Sequence, residues 1–178
     1  MNLTVDAPHG EDAVLVAVQS TLAGRPGVLK GARALSHFGE HSAGWVAVSL
    51  LGALVQPRHR RAWLVAGAGA FLAHAAAVVI KRIVKRERPD HPSIAVNVGT
   101  PSRLSFPSAH ATSTTAAAIL LGRATGLPLP AVLVPPMALS RLVLGVHYPS
   151  DVLTGVAVGT VVAKVVGAVA DRAEGEDA

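Results

Sequence analysis

The sequence predicts an all-α protein that is embedded in a membrane as a polytopic helix bundle. Of its 178 residues, 51% are hydrophobic and only 15% are charged, whereas soluble domains carry about 25% charged residues. The mean hydropathy is +0.46, and several uncharged stretches approach the roughly 17–25 apolar residues that a membrane-crossing helix needs. The length suits one domain, residues 1–178.

The composition also excludes several classes of protein. Disordered chains combine low hydrophobicity with high charge, and this chain has the opposite balance. It has no cysteine, which excludes disulfide frameworks, thiolate metal sites and cysteine nucleophiles. Between His91 and Ala170 the only acidic residue is Asp151, so hard oxygen ligands are scarce and we expect no metal and no cofactor. The basic clusters lack interleaved aromatic residues, and we expect no nucleic-acid partner.

Five apolar stretches predict about five transmembrane helices within a bundle that covers residues 38–170. In order they span residues 42–57, 62–80, 108–122, 126–144 and 152–170. The second runs on toward Val84, prolines in the fourth should kink it or delay its start, and only Lys164 interrupts the fifth. Small residues such as those of Gly155-x-x-x-Gly159 let helix backbones approach closely in lipid.

The segment before the bundle, residues 1–37, is predicted to lie along the membrane interface. Residues 11–37 intersperse apolar side chains with Arg25, Lys30 and Arg33, which is an amphipathic pattern. A sixth span at this place is the alternative. Acidic residues occupy the positions of a basic signal-peptide region, so we expect no signal peptide. Residues 171–178 form a polar tail.

The alternating direction of five spans brings the polar residues at the helix ends to one membrane face. These residues are Lys81, Arg88, Ser108, His110, Arg141, His147 and Asp151, joined by Glu40 and His41 ahead of the first span. Charged side chains in membrane segments are costly and are functional by default. Three cations beside two histidines suit a phosphoryl group, and the free N–H groups of the helix that opens at residue 108 add a further anion site.

The two histidines fit the two halves of a phosphoryl transfer. If the turn after His147 is helical, Asp151 lies on the same face four residues on. The carboxylate can then hold one ring nitrogen and leave the other to attack, while His110 is free to protonate the departing oxygen. Because one histidine must be neutral and the other protonated, we expect a bell-shaped pH–rate profile.

Two further groups of polar residues have simpler interpretations. Arg82, Lys85 and Arg86 are predicted to contact lipid headgroups. His74 lies in the middle of the second span and is predicted to be a packed histidine that is hydrogen-bonded to a neighbouring helix.

Three motifs resemble the signature of the type 2 phosphatidic acid phosphatase (PAP2) superfamily. They are Lys81-x6-Arg88-Pro89, Pro107-Ser108-Ala109-His110 and Ser140-Arg141-x5-His147-x3-Asp151. The resemblance implies a metal-independent phosphatase in which His147 becomes phosphorylated, Asp151 orients it and His110 is the acid. It also implies a phosphate site made by Lys81, Arg88, Ser108, Ala109 and Arg141. The family usually has Gly where this chain has Ala109; a helical backbone would tolerate the added methyl group, and the alternative is that it narrows the phosphate site.

The resemblance implies a lipid phosphate as substrate and leaves the headgroup open. Residues 38–45 and the small size are similar to actinobacterial members that remove the 5-phosphate of decaprenylphosphoryl-5-phosphoribose in cell-wall arabinan synthesis, which implies sugar contacts for Glu40 and His41. Polyprenyl diphosphate, phosphatidic acid and phosphatidylglycerophosphate are the alternative substrates. A non-catalytic lipid-phosphate carrier or scaffold is the alternative from another class, although binding alone does not need the His147–Asp151 pair.

The same reasoning predicts where the protein resides. Its spans indicate an integral, multi-pass protein of the plasma membrane with the lipid bilayer as its environment. The basic residues that flank the spans favour a cytoplasmic active site. The sequence makes no prediction of oligomeric state.

Overall fold

The computed structural model describes residues 7–176, which fold into seven α-helices joined by turns and one long loop. The helices are α1 (Gly10–Leu22), α2 (Val28–Gly39), α3 (Ala43–Val55), α4 (Arg60–Val84), α5 (Ala109–Thr125), α6 (Leu129–Val143) and α7 (Pro149–Glu176). Short 3-10 turns occupy Glu40–Ser42 and Pro57–His59. The predicted all-α bundle is confirmed, and the five predicted spans correspond to α3–α7. The first six and last two residues of the predicted terminal segments lie outside the described residues.

α5 is the central helix of the bundle. It packs against α4, α6 and α7, and its polar residues Thr112–Thr115 are at most 2% exposed. Two of their hydroxyl groups find partners on different parts of the bundle: Thr112 Oγ1 donates to the carbonyl of Ser108 at 2.8 Å, and Thr114 Oγ1 accepts from Trp45 Nε1 at 3.0 Å. Because protein surrounds α5 on most sides, the least apolar of the predicted spans is shielded from lipid.

Three apolar segments are long enough to cross a membrane, by length and composition, within the described part of the chain. They are Val28–Val55, Pro57–Val84 and Pro149–Glu176, and the apolar α6 is shorter. The first segment joins α2 to α3 across the turn at residues 40–42. The sequence predicted that this span begins at residue 42, and α3 begins at Ala43, but the apolar segment also includes α2, with the turn inside it.

One end of the bundle carries the long loop of residues 85–108. α4 and α6 end there, and α5 and α7 begin there, as the alternating directions predicted. Side chains of α1 hold the loop: the buried Gln19 donates to the carbonyls of Ala95 at 2.7 Å and Val143 at 3.1 Å, and accepts from Ala95 N at 3.0 Å. We call this the loop end of the bundle.

Candidate active site

A cavity of about 370 Å³ lies at the loop end of the bundle. Its walls include most of the residues singled out from the sequence, namely Glu40, His41, Lys81, Arg88, Ala109, His110, Arg141 and His147. Two others, Ser108 and Asp151, are fully buried behind this wall. The structure therefore brings the sequence-predicted polar residues together around one space.

His147 and Asp151 face each other across the turn between α6 and α7. α7 begins only at Pro149, so the helical turn on which the sequence argument depended is absent at His147. The two side chains nevertheless approach, with 3.6 Å between His147 Nδ1 and Asp151 Oδ2. Asp151 also closes the turn, because its Oδ2 accepts a hydrogen bond from Tyr148 N at 2.8 Å.

The other ring nitrogen of His147 faces Arg88. Arg88 Nη1 lies 3.3 Å from His147 Nε2, and because a guanidinium can only donate, Nε2 is the unprotonated, accepting nitrogen. Burial is the main cause that holds the pKa of His147 well below its usual range. The neighbouring cations of Arg88, Lys81 and Arg141 lower that pKa further. The ring is therefore neutral at physiological pH, with its lone pair directed toward a cation.

Lys81 and Arg88 are held in place by carbonyl oxygens of the long loop. Lys81 is 8% exposed, and its Nζ donates to the carbonyls of Leu104 at 3.1 Å and Ser105 at 2.8 Å. Arg88 donates through Nε to the carbonyl of Ser102 at 2.8 Å. Burial lowers the pKa of Arg88 to about 10, which leaves it charged at neutral pH. Each cation is thus fixed in position while it lines the cavity.

Arg141 is the most deeply buried of the three cations, at 2% exposed. Its Nη1 donates to Ser36 Oγ and its Nε to Ser140 Oγ, both at 3.1 Å. Its Nη2 is buried and has no hydrogen-bond partner among residues 7–176. A buried, charged donor without a partner is costly, and an anionic oxygen in the cavity would satisfy it.

Two residues at the start of α5 do not have the surroundings that the sequence predicted. His110 was expected to be free, but its Nε2 lies 2.9 Å from the carbonyl oxygen of Ser36 on α2. Since a carbonyl can only accept, this contact favours the tautomer with the proton on Nε2. Ser108 does not line the cavity, because its hydroxyl caps α5 by accepting from Ala111 N at 3.4 Å. Ala109 does line it.

Arg86 and Glu11 support the site from behind, through Asp151 and Ser150, and neither role was predicted from the sequence. Arg86 was predicted to contact headgroups, which is wrong: its Nη1 lies 3.0 Å from Asp151 Oδ1 and its Nη2 lies 2.6 Å from Glu11 Oε2. Glu11 Oε1 also accepts from Ser150 N at 2.8 Å. Although burial opposes it, the contact with Arg86 lowers the pKa of Glu11. The local sequence carries no signal that pairs these remote residues.

His74 also differs from its prediction. It lines the cavity, and its ring centroid lies 5.7 Å from that of His41. Its Nδ1 is buried and finds no hydrogen-bond partner in the described part of the chain, so this nitrogen does not make the predicted bond to a neighbouring helix. Within residues 7–176, no three histidine or acidic side chains are grouped closely enough to hold a metal ion.

Comparison with known proteins identifies the family. The model of the PAP2 superfamily matches residues 62–173, a range that contains all three motifs. The chain belongs to the PAP2 superfamily. This PAP2 protein is 82% identical over 150 residues to the decaprenylphosphoryl-5-phosphoribose phosphatase of Mycolicibacterium smegmatis, over 84% of this chain and 83% of that protein. It is 72% identical over 163 residues to the protein of the same name from Mycobacterium tuberculosis H37Rv, over 92% of each.

Solved structures show the same fold. The PAP2-type phosphatidylglycerolphosphate phosphatase of Bacillus subtilis aligns with a TM-score of 0.70 and 20% identity, over 90% of this chain and 86% of that one. LpxE of Aquifex aeolicus aligns with a TM-score of 0.63 and 18% identity, over 86% of this chain and 92% of that one. The fold and the apolar helices make this PAP2 protein an integral membrane protein.

Proposed function

We propose that this chain is a decaprenylphosphoryl-5-phosphoribose phosphatase that acts through a phosphohistidine intermediate. The reaction is supported above all by one observation: the neutral Nε2 of His147 lies beside Arg88, at a cavity that Lys81 and Arg141 also line. The substrate is supported by two mycobacterial relatives of that name, which are 82% and 72% identical to this chain.

In the first step His147 Nε2 attacks the phosphorus of the 5-phosphate. The N–P bond forms as the bond between phosphorus and the 5-oxygen of the ribose breaks. Negative charge on the phosphoryl oxygens is stabilised by the three cations, whose positions are fixed before substrate binds. The free Nη2 of Arg141 gives one of these oxygens a donor. As the imidazole becomes positively charged, Asp151 stabilises it from the Nδ1 side.

The leaving oxygen needs a proton, and His110 is the residue that we assign to supply it. To act as the acid, the ring must carry a proton on both nitrogens: it keeps the Nε2 proton on the carbonyl of Ser36 and transfers the Nδ1 proton, which leaves a neutral imidazole. In the second step the same ring accepts a proton from the water that attacks the phosphohistidine. The N–P bond then breaks, inorganic phosphate leaves and His147 returns to its neutral state.

Ser108 and Ala109 complete the phosphate site through the first turn of α5. Ser108 caps the helix, and its N–H donates to the carbonyl of Asp151 at 2.9 Å. This contact ties the start of α5 to the start of α7. We assign Ala109, which lines the cavity, to the surface against which the phosphate packs.

We place the active site on the cytoplasmic side, on the basis of the basic residues at the two ends. Apart from the three phosphate ligands, the loop end carries seven basic residues, Arg25, Lys30, Arg33, Arg82, Lys85, Arg86 and Arg103. The opposite end carries five, Arg58, Arg60, Arg61, Arg123 and Arg172. Basic residues are in excess at the cytoplasmic ends of membrane helices. When the ion-paired Arg86 is left out, the loop end still carries more basic residues than the opposite end.

The decisive experiment measures phosphate release by the purified protein in detergent and EDTA. The substrates are decaprenylphosphoryl-5-phosphoribose, polyprenyl diphosphate, phosphatidic acid and phosphatidylglycerophosphate. We expect the sugar lipid to be hydrolysed fastest, with His147→Ala inactive and His59→Ala, in the exposed turn before α4, fully active. Faster hydrolysis of another lipid would mean that this lipid is the substrate. Binding of the lipids without phosphate release from any of them would favour the non-catalytic carrier.

A further inference from the structure

The apolar segment that forms α2 and α3 is broken inside the membrane-crossing stretch. His41 (φ 51°, ψ 22°) and Ser42 (φ 58°, ψ 11°) both adopt the left-handed conformation. For residues other than glycine this conformation is strained, and such strain concentrates at functional sites. Irregular backbone at membrane depth is tolerated where it lines a cavity. Here it does, because Glu40 and His41 both line the cavity described above.

The break faces a polar side chain of α4. His74 lies in the middle of that helix, and its ring centroid is 5.7 Å from that of His41. His74 Nδ1 is buried and has no hydrogen-bond partner among the residues that the structure describes, although buried polar atoms are nearly always hydrogen-bonded. We call Glu40, His41 and His74 the polar wall of the cavity, because all three line it and the phosphoryl chemistry proposed above uses none of them.

His74, the member of this wall that α4 carries, lies deeper in the bundle than the phosphate site. His74, Val78 and Lys81 all line the cavity, and their spacing of four and three residues places them on one stripe of α4. Seven residues of helix extend about 10 Å, so His74 lies about that far along the axis from Lys81, toward the membrane interior. The separation leaves room for a sugar-sized group between a phosphate on Lys81 and a lipid tail in the bilayer.

The chemistry of the wall selects a neutral group with hydroxyls. A carboxylate accepts hydrogen bonds from hydroxyl groups, and an imidazole with one protonated nitrogen both donates and accepts. We propose that Glu40, His41 and His74 form a pentose-hydroxyl subsite, which makes the enzyme prefer lipid phosphates that carry a sugar next to the scissile phosphate. The proposal rests on the proposed function, whose phosphate site fixes the orientation of the substrate.

The test compares His74→Leu and Glu40→Gln with the wild type on two substrates, decaprenylphosphoryl-5-phosphoribose and phosphatidic acid. For each variant we expect kcat/KM on the sugar lipid to fall roughly tenfold, the value for one lost hydrogen bond of the stronger kind, with no change on phosphatidic acid. His59→Leu is the matched control, because this histidine lies in the exposed turn before α4. Elution from a sizing column shows whether each variant is folded, and Glu40→Gln preserves the test if His74→Leu is not.

The outcomes separate the two proposals. Equal losses on both substrates, or no loss on either, overturn the subsite and leave the proposed function standing, because the wild type still hydrolyses the sugar lipid. A wild type that hydrolyses phosphatidic acid and not the sugar lipid overturns both. A sugar-selective loss supports the subsite, and the 2-deoxyribose analogue of the substrate should then remove the difference between wild type and at least one variant.

Discussion

Arg86 forms an ion pair with Asp151, with 3.0 Å between Nη1 and Oδ1. Asp151 is fully buried, and a buried carboxylate needs a charged or hydrogen-bonding partner. The opposite side of the same guanidinium contacts Glu11 of α1 at 2.6 Å. The helix that precedes the bundle therefore supports the carboxylate that faces His147, through one shared cation.

We predict that Glu11→Gln lowers kcat and leaves KM nearly unchanged. The change removes the charge that holds Arg86 while it keeps an oxygen for the backbone N–H of Ser150. Loss of a residue that orients a reacting group without touching the substrate lowers activity by roughly tenfold or more. We expect a loss near tenfold, because the Arg86–Glu11 pair is partly exposed. Steady-state kinetics with decaprenylphosphoryl-5-phosphoribose as the substrate measure both constants. Glu174→Gln, which breaks the exposed pair with Arg61 at the opposite end, should have no effect; equal kcat values for Glu11→Gln and wild type would contradict the prediction.

We predict a much larger effect for Asp151→Asn. The amide keeps the shape of the side chain but cannot stabilise positive charge on His147 or balance Arg86. Loss of an orienting carboxylate lowers kcat by about 10²–10⁴-fold where the geometry is kept. Rapid-quench measurement of the phosphoenzyme should show its formation slowed. Asp171→Asn, which affects an exposed pair with Arg123, is the control, and near-normal phosphoenzyme formation in Asp151→Asn would remove the assigned role.

The features that depend on order along the chain could be predicted from the sequence. Uncharged stretches with charged ends must alternate in direction, and this alone brings Lys81, Arg141 and His147 to one end of the bundle. The motif spacing then indicates a phosphate site. The structure adds the depth of burial and the carbonyl contacts that fix each cation, which depend on how the long loop folds and so cannot be obtained from helix order.

The features that the sequence did not reveal are contacts between remote segments and one strained turn. Glu11 and Arg86 are 75 residues apart, and an amphipathic pattern does not determine which base an acid meets. The break at His41 and Ser42 contains neither proline nor glycine, so no residue type marks it. The bond from His110 to Ser36 exists only because α2 packs on α5.

We predict that the acid limb of the kcat/KM profile lies below pH 6.5, the usual pKa of histidine. Since burial and nearby cations lower the pKa of His147, the ring stays neutral to more acidic pH, and activity is lost only as pH falls through this lowered value. Arg88→Met removes one of those cations and should move the limb to higher pH, besides reducing the rate. Arg58→Met at the far end of the bundle is the control. If the acid limb of the kcat/KM profile does not move in Arg88→Met, protonation of His147 does not determine the pH at which activity is lost.

We predict that the loop end faces the cytoplasm. The chain has no cysteine, so a single introduced thiol reports its own location. Arg103→Cys in the loop should react with a membrane-impermeant maleimide only after cells are permeabilised, whereas Arg60→Cys at the start of α4 should react in intact cells whose outer layers admit the reagent. Both side chains are exposed. The reverse labelling pattern would place the active site on the outer side of the membrane.

We predict that Gly159→Ala destabilises the protein, although alanine is the better helix former by about 1 kcal/mol. A Cβ at this position would run into the carbonyl of Thr112 and lie 2.9 Å from the Cβ of Thr115, so α7 would have to move away from α5. Overpacking of this kind costs about 1–3 kcal/mol. Gly175→Ala, where an added Cβ meets no atom within 4 Å, is the matched control and should leave thermal stability in detergent unchanged or slightly higher. If the two variants unfolded at the same temperature, close packing of α5 on α7 would not be what holds these helices together.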